Sequence, residues 1–90
     1  MPVYKYYGLF EPDEGSVNVS FPDLAGCLTF GDDLADAVKM AQDALGGYLL
    51  VCEDDNDPIP DSSPVKDIVV PEGASLILVE VDTDNWRESA

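Results

Sequence analysis

Histidine is absent from this sequence, and only four of its residues are Lys or Arg. The first absence removes the commonest general base and the usual partner of a nucleophilic Ser or Cys. The second removes the cations that must replace condensed counterions when a protein binds DNA or RNA. Nineteen Asp and Glu stand against those four cations, a net charge of −15. A field of that sign repels nucleic acid and anionic membrane surfaces and favours basic proteins. Cysteine is scarce too. Cys27 and Cys52 lie far apart with no CxxC or Cys/His spacing, which fits small buried hydrophobes in a reducing compartment and not a disulfide framework or a zinc site. No run of about 18 apolar residues occurs, which excludes a membrane-spanning helix. The opening MPVYKYYGLF lacks the basic-then-apolar order of a signal peptide. A cytoplasmic location is expected.

What is present suffices for one small domain. Of the 90 residues, 46% are apolar and 26% charged, enough hydrophobic material to fold. A chain of this length buries only about 60% of its unfolded surface, so its core is thin and a partner or self-association would help it. Residues 3–10 are rich in aromatic and β-branched side chains and predict a strand. After the turn formers of 11–15, Val17, Val19 and Phe21 alternate with Ser16, Asn18 and Ser20, the pattern of a half-buried second strand in a hairpin. Pro22 and Gly26 break that pattern, and 27–30 form a short third strand closed by Gly31.

Asp33 then stands as an N-cap, with Asp36 three residues on, ahead of Leu34, Ala37, Val38, Ala41, Leu45, Tyr48, Leu49 and Cys52 at helical spacing. Gly46-Gly47 within it marks a weak point or a close approach, of which close packing is the favoured reading. The acidic run 53–57 is expected to stop the helix, 58–64 to form an extended loop, and 67–70 a short strand. Residues 74–81, apolar without strict alternation, read as a central or two-sided strand. The crossover helix allows this last strand to lie parallel to a neighbour. The fold class is α+β: a small β-β-β-α-β two-layer domain with one main helix on a mainly antiparallel sheet. It spans residues 1–82, and 83–90 form a polar, partly free tail.

Catalytic readings fare poorly. Cys27 beside Gly26 has nothing nearby in sequence to lower its pKa. Two-metal chemistry needs carboxylates converging from strands, yet Asp and Glu fall mostly in turns, at the helix start and in 53–57, with only Glu80 clearly inside a strand. The 53–57 run lacks the glycine and the distal Glu of a calcium loop. Tyr4, Tyr6 and Tyr7 mimic a base-stacking strand, but only Lys5 accompanies them. No cofactor, no metal and no enzymatic activity are expected.

The stretch FEPDEG (10–15), then SFPDLAGCLTFGD (20–32), the amphipathic helix, DPIPDSS (57–63) and VEVDTDNWR (79–87) together resemble the HicB-like antitoxins, over nearly the whole chain. The resemblance implies a partial ribonuclease-H-like fold without that fold's catalytic carboxylates. It also implies a small, basic, RNA-cleaving HicA-like toxin as partner, whose active site and RNA surface the antitoxin covers. Self-association and a C-terminal DNA-binding module are further properties of the family. The sequence stops at Ala90, where such a module would begin; either the module is lacking or the sequence is truncated before it, and DNA binding by these 90 residues is not expected.

On this reading Glu11, Asp13, Glu14, Asp23, Asp32 and Asp33 face the toxin, with Phe21, Pro22 and Leu24 as an apolar anchor. The alternative for those three is conformational: proline and glycine shape the bend and Leu24 packs inward. The rival function is an orphan acidic scaffold that forms homo-oligomers or binds another basic protein.

Overall fold

In a computed structural model, which describes residues 3–87, the elements follow in the order β1 (Val3–Asp13), β2 (Ser16–Ser20), β3 (Leu28–Gly31), α1 (Leu34–Asp55), a 3₁₀ turn (Val65–Asp67), β4 (Ser75–Asp82) and α2 (Asp84–Arg87). The strands form one sheet in the order β3-β2-β1-β4. Every neighbouring pair is antiparallel.

The hairpin turn falls at Glu14 and Gly15, both at positive φ, so β1 runs three residues further than its aromatic stretch. Pro12 is tolerated in it because β1 pairs with β4 only as far as Phe10↔Ser75. Beyond that point β2 is its sole partner, and a missing N–H on the open side disrupts no ladder.

Asp33 caps α1 as expected, its carboxylate accepting from the Asp36 N–H at 2.8 Å. Asp36 returns the favour by accepting from the Asp32 N–H at 2.9 Å. The far end is closed by Asn56 in the left-handed conformation. Its N–H donates to Glu53 O and that of Asp57 to Cys52 O, which satisfies the last carbonyls. A backbone motif, not the acidic run, therefore stops the helix, and Glu53, Asp54 and Asp55 lie inside it.

One layer of α1 covers one face of the sheet. Tyr6, Phe10, Val19, Val79 and Val81 from the strands meet Ala37, Ala41, Leu45 and Leu49 from the helix, with Phe21, Leu24 and Cys27 closing one end. Gly46 is the predicted close approach. A methyl group there would stand 2.3 Å from the Trp86 ring, whereas one on Gly47 would meet nothing within 4 Å.

Other expectations need correction. The last strand is not parallel to its neighbour: α1 carries the chain from the hairpin end of the sheet to the opposite end, and residues 56–74 carry it back, so β4 starts beside Phe10 and runs against β1. Nor is it central. It is an edge strand, apolar because it has side chains both in the core (Val79, Val81) and on the other face (Leu76, Leu78). Residues 67–70 are not a strand but a 3₁₀ turn and an irregular segment, with Val69 exposed.

The described part of the tail is docked, not free. Thr83 is fully buried and Trp86 half-buried against the core; residues 88–90 lie outside the described residues.

Candidate functional site

The acidic residues separate into two groups by position along β2. Its start, Ser16–Val17, pairs with Asp13 and Pro12 on one side and Gly31 on the other. Glu11, Asp13, Glu14, Asp32 and Asp33 are thereby gathered at one end of the sheet. Asp13, Glu14, Asp32 and Asp33 are exposed there and Glu11 is half-buried. The polar contacts at this end are local: the Asn18 amide donates to Asp13 at 3.4 Å, and Asp33 is committed to capping α1.

Residues 21–24 follow the other end of β2, roughly 17 Å away at about 3.4 Å per strand residue. They make a self-closed loop: the N–H of Leu24 donates to Phe21 O, that of Cys27 to Leu24 O, and that of Phe21 to Cys27 O. Gly26 at φ +82° permits the tight return. The three-residue spacing turns Phe21, Leu24 and Cys27 into the core, where Phe21 is 3% and Leu24 1% exposed. Neither can be a contact anchor in this fold: Leu24 packs inward as the conformational alternative has it, and Phe21 is buried as well. Of the three, only Pro22 is exposed. Asp23 clasps the distant loop, its carboxylate accepting from the Ser63 N–H at 2.8 Å and the Ser63 hydroxyl at 2.6 Å. The Tyr48 hydroxyl adds a bond from α1 to Ala25 O.

A second carboxylate acts as a structural junction. Glu53 Oε2 accepts from the Tyr4 hydroxyl at 2.7 Å and from Thr83 Oγ1 at 3.0 Å, joining the start of β1, the end of α1 and the residue after β4. The hydrogen bond to Glu53, reinforced by burial, pushes the Tyr4 phenol up to about 12 from 10.0. The folded state thus holds this proton more tightly than the unfolded chain. The resulting stabilisation is complete below pH 10 and disappears as pH rises through about 12. Stability measured over that window is expected to fall less steeply in Tyr4→Phe than in the parent chain, with tyrosinate absorbance marking the titration.

Chemistry at Cys27 is disfavoured by its surroundings. Burial pushes its thiol up to about 11, and its Sγ lies 3.8 Å from Ala44 O. Among the described residues, no three His, Cys, Asp or Glu side chains are grouped to hold a metal ion, and no helix is long and apolar enough to cross a membrane.

Sequence reasoning missed the outward side chains of the sheet. Leu28 and Phe30, two apart on β3, share the face turned away from α1 and are 68% and 60% exposed; Leu78 of β4 is 46% exposed. The signal was the two-residue spacing itself, in Leu28 and Phe30 and in Leu76 and Leu78.

Residues 6–90 match the family described as the HicB_like antitoxin of bacterial toxin-antitoxin systems. The chain belongs to this family. Antitoxin HicB 1 of Photorhabdus laumondii is 42% identical over 62 residues, which cover 68% of this chain and 40% of that protein. The HicB-like chain spans half or less of the length of the curated relatives it matches. Its fold is that of a chain in a toxin–antitoxin complex from Streptococcus pneumoniae, with a TM-score of 0.85 at 19% identity, covering 94% of this chain and 73% of the other. A chain of the HicA3 and HicB3 toxin-antitoxin complex superposes with a TM-score of 0.69 at 27% identity, over 87% of this chain and 98% of that one. The α+β architecture of four antiparallel strands and one main helix is thus that of HicB antitoxin domains.

Proposed function

We propose that this HicB-like domain neutralises a small, basic, HicA-type RNA-cleaving toxin in the cytoplasm by binding it and covering its RNA-binding and active-site surface. The observation that carries the reading is the collection of Glu11, Asp13, Glu14, Asp32 and Asp33 at one end of the sheet in a chain of net charge −15. A surface that binds RNA must be positive, and carboxylates can occupy it in place of phosphates. Family membership supports the same reading, as does the likeness to chains solved in toxin–antitoxin complexes. Inhibition on this account is stoichiometric binding and requires no catalysis, cofactor or nucleic acid contact by these residues. The domain of the proposal is residues 1–82, together with the docked Thr83 and Trp86.

Co-expression with a small, basic HicA-type toxin is expected to give a complex that co-purifies and restores growth. Association should slow steeply with added salt. The triple variant Glu11→Lys/Glu14→Lys/Asp32→Lys should associate about tenfold more slowly at low ionic strength, with dissociation little changed, because rim charges act mainly on encounter. Asp33 is left out because its loss would also uncap α1. Failure of the parent chain to bind or rescue rejects the antitoxin reading; equal association rates for the triple variant reject the acidic end as its contact.

A further inference from the structure

β1 has two strand partners along only part of its length. β4 pairs with it from Val3 to Phe10, but β2 only from Leu9 to Asp13. Between Val3 and Gly8 the side of β1 turned toward β2 therefore has no strand beside it. Phe21, which would continue β2, bonds instead to Cys27 O. The hairpin decides which backbone groups are left over. Its two-residue turn, Glu14 and Gly15 at positive φ, makes Asp13 and Ser16 a hydrogen-bonded pair. Every second residue back along β1 then points its N–H and C=O the same way. Leu9, Glu11 and Asp13 meet β2, whereas Lys5 and Tyr7 aim theirs past its end, and no group among the described residues bonds to them.

This open edge forms one wall of a groove. Residues 3–6 line one side and residues 59–62 the other, around a volume of about 250 Å³. The second wall is held in place: the Tyr6 hydroxyl donates to Pro60 O, and Asp23 grips Ser63. It gives β1 no backbone bond, and Pro58 and Pro60 have no N–H to give. A strand edge with free N–H and C=O groups captures extended chain unless it is covered, and here the cover stops short and leaves a slot.

Charge selects the chain that fits. Asp61 lines the slot, and Glu80 and Asp82 stand across from Lys5 and Val3 on β4. Lys5 is the only cation in the lining. Within a chain of net charge −15, this surroundings favours a cationic segment and disfavours a second copy.

We propose that the groove binds an extended, basic peptide segment, which adds as a strand to the Val3–Tyr7 edge of β1 in line with β2. Its main chain bonds to the N–H and C=O of Lys5 and Tyr7. Alternate side chains enter the slot against Tyr4 and Ile59, while its cations meet Asp61 and the carboxylates of β4. The site lies at the opposite end of β1 from the acidic hairpin and does not depend on the antitoxin reading.

The probe is a capped hexapeptide of alternating Lys and Val, titrated into the full chain while amide hydrogen exchange is followed. Saturation is expected to slow exchange at Lys5 and Tyr7 at least about tenfold, whereas Tyr6 and Gly8, bonded to β4, stay slow throughout. The same peptide N-methylated at every residue keeps its charge but loses its donors, and should bind at least about tenfold more weakly, since two lost hydrogen bonds are worth about that much. On the protein side, Lys5→Pro removes one open-edge donor without touching the β4 ladder, and should bind the parent peptide more weakly than Lys5→Gln, which removes only the charge. Equal affinity for the two peptides, or Lys5 and Tyr7 amides left unprotected in the saturated complex, overturns the proposal, as does failure of the parent peptide to bind. Should both amides become protected in the isolated chain as its concentration rises, the edge pairs between copies and the proposal fails.

Discussion

Gly31→Ala is expected to destabilise the domain by about 3 kcal/mol, the upper end of what overpacking costs. A methyl group at Gly31 would stand 2.3 Å from the Ala37 nitrogen, 2.5 Å from its Cα and 2.7 Å from the Asp36 carbonyl carbon. These are backbone atoms in the first turn of α1, held by the reciprocal bonds of Asp32, Asp33 and Asp36, and no rotamer change can move them aside. Either β3 must slip or the helix must lift off the sheet. A domain of this size has roughly 5–10 kcal/mol in total, and each kcal/mol is worth about 4–8 °C, so thermal unfolding should begin about 12–24 °C lower. Gly47→Ala is the internal control. With nothing within 4 Å of the new methyl group, it should gain up to about 1 kcal/mol from helix propensity alone. A Gly31→Ala protein melting within a few degrees of the parent would show that β3 and α1 are not seated as described.

Phe10→Ala should be costlier still, about 3–5 kcal/mol. Phe10 is 1% exposed at the centre of β1, between Val19 of β2 and the first residue of β4. The core has few other large side chains with which to fill the space: the larger buried ones besides it are Tyr6, Phe21, Leu24, Leu45 and Leu49. Expected is a fall in melting temperature of about 12–40 °C, with part of the chain unfolded at 37 °C. The outcome connects stability to binding. If the folded domain alone binds the basic partner, partner at about 1,000 times its dissociation constant adds about 4 kcal/mol and restores a cooperative transition. Melting curves with and without partner check both halves. Loss of less than about 1 kcal/mol would mean that the thin core repacks, contrary to its sparse contents.

Local signals in the sequence specified local structure well. The alternation of 16–20 gave β2, and Asp33 with Asp36 gave the start of α1, because a cap and a strand pattern are each decided within a few residues. Gly46 was identifiable as a close approach, but not what approached it, since Trp86 arrives from 40 residues away through β4.

The misreadings concern quantities that only tertiary structure fixes. An edge strand with apolar side chains on both faces has the composition of a central one, so β4 could not be placed by hydrophobicity. Its direction depended on whether residues 56–74 return along the sheet, which no short pattern encodes. For the candidate site, the acidic residues near the hairpin and helix start were identifiable as surface, and the topology unites five of them. Phe21 and Leu24 misled because an apolar residue beside Pro and Gly is compatible with an exposed bend or an inward-facing one. The three-residue spacing of Phe21, Leu24 and Cys27 decides it once the loop closes on itself.

Val3 and Asp82 are directly paired across β1 and β4, so the chain enters and leaves the sheet about 5 Å apart. Topologically the domain is close to a closed ring. A short linker between the two ends, with new termini opened at the Glu14-Gly15 turn, would preserve every strand pairing in circularly permuted form. By the same geometry, Val3 and Asp82 form one corner of the sheet, at the opposite end of β1 from the carboxylates of the hairpin.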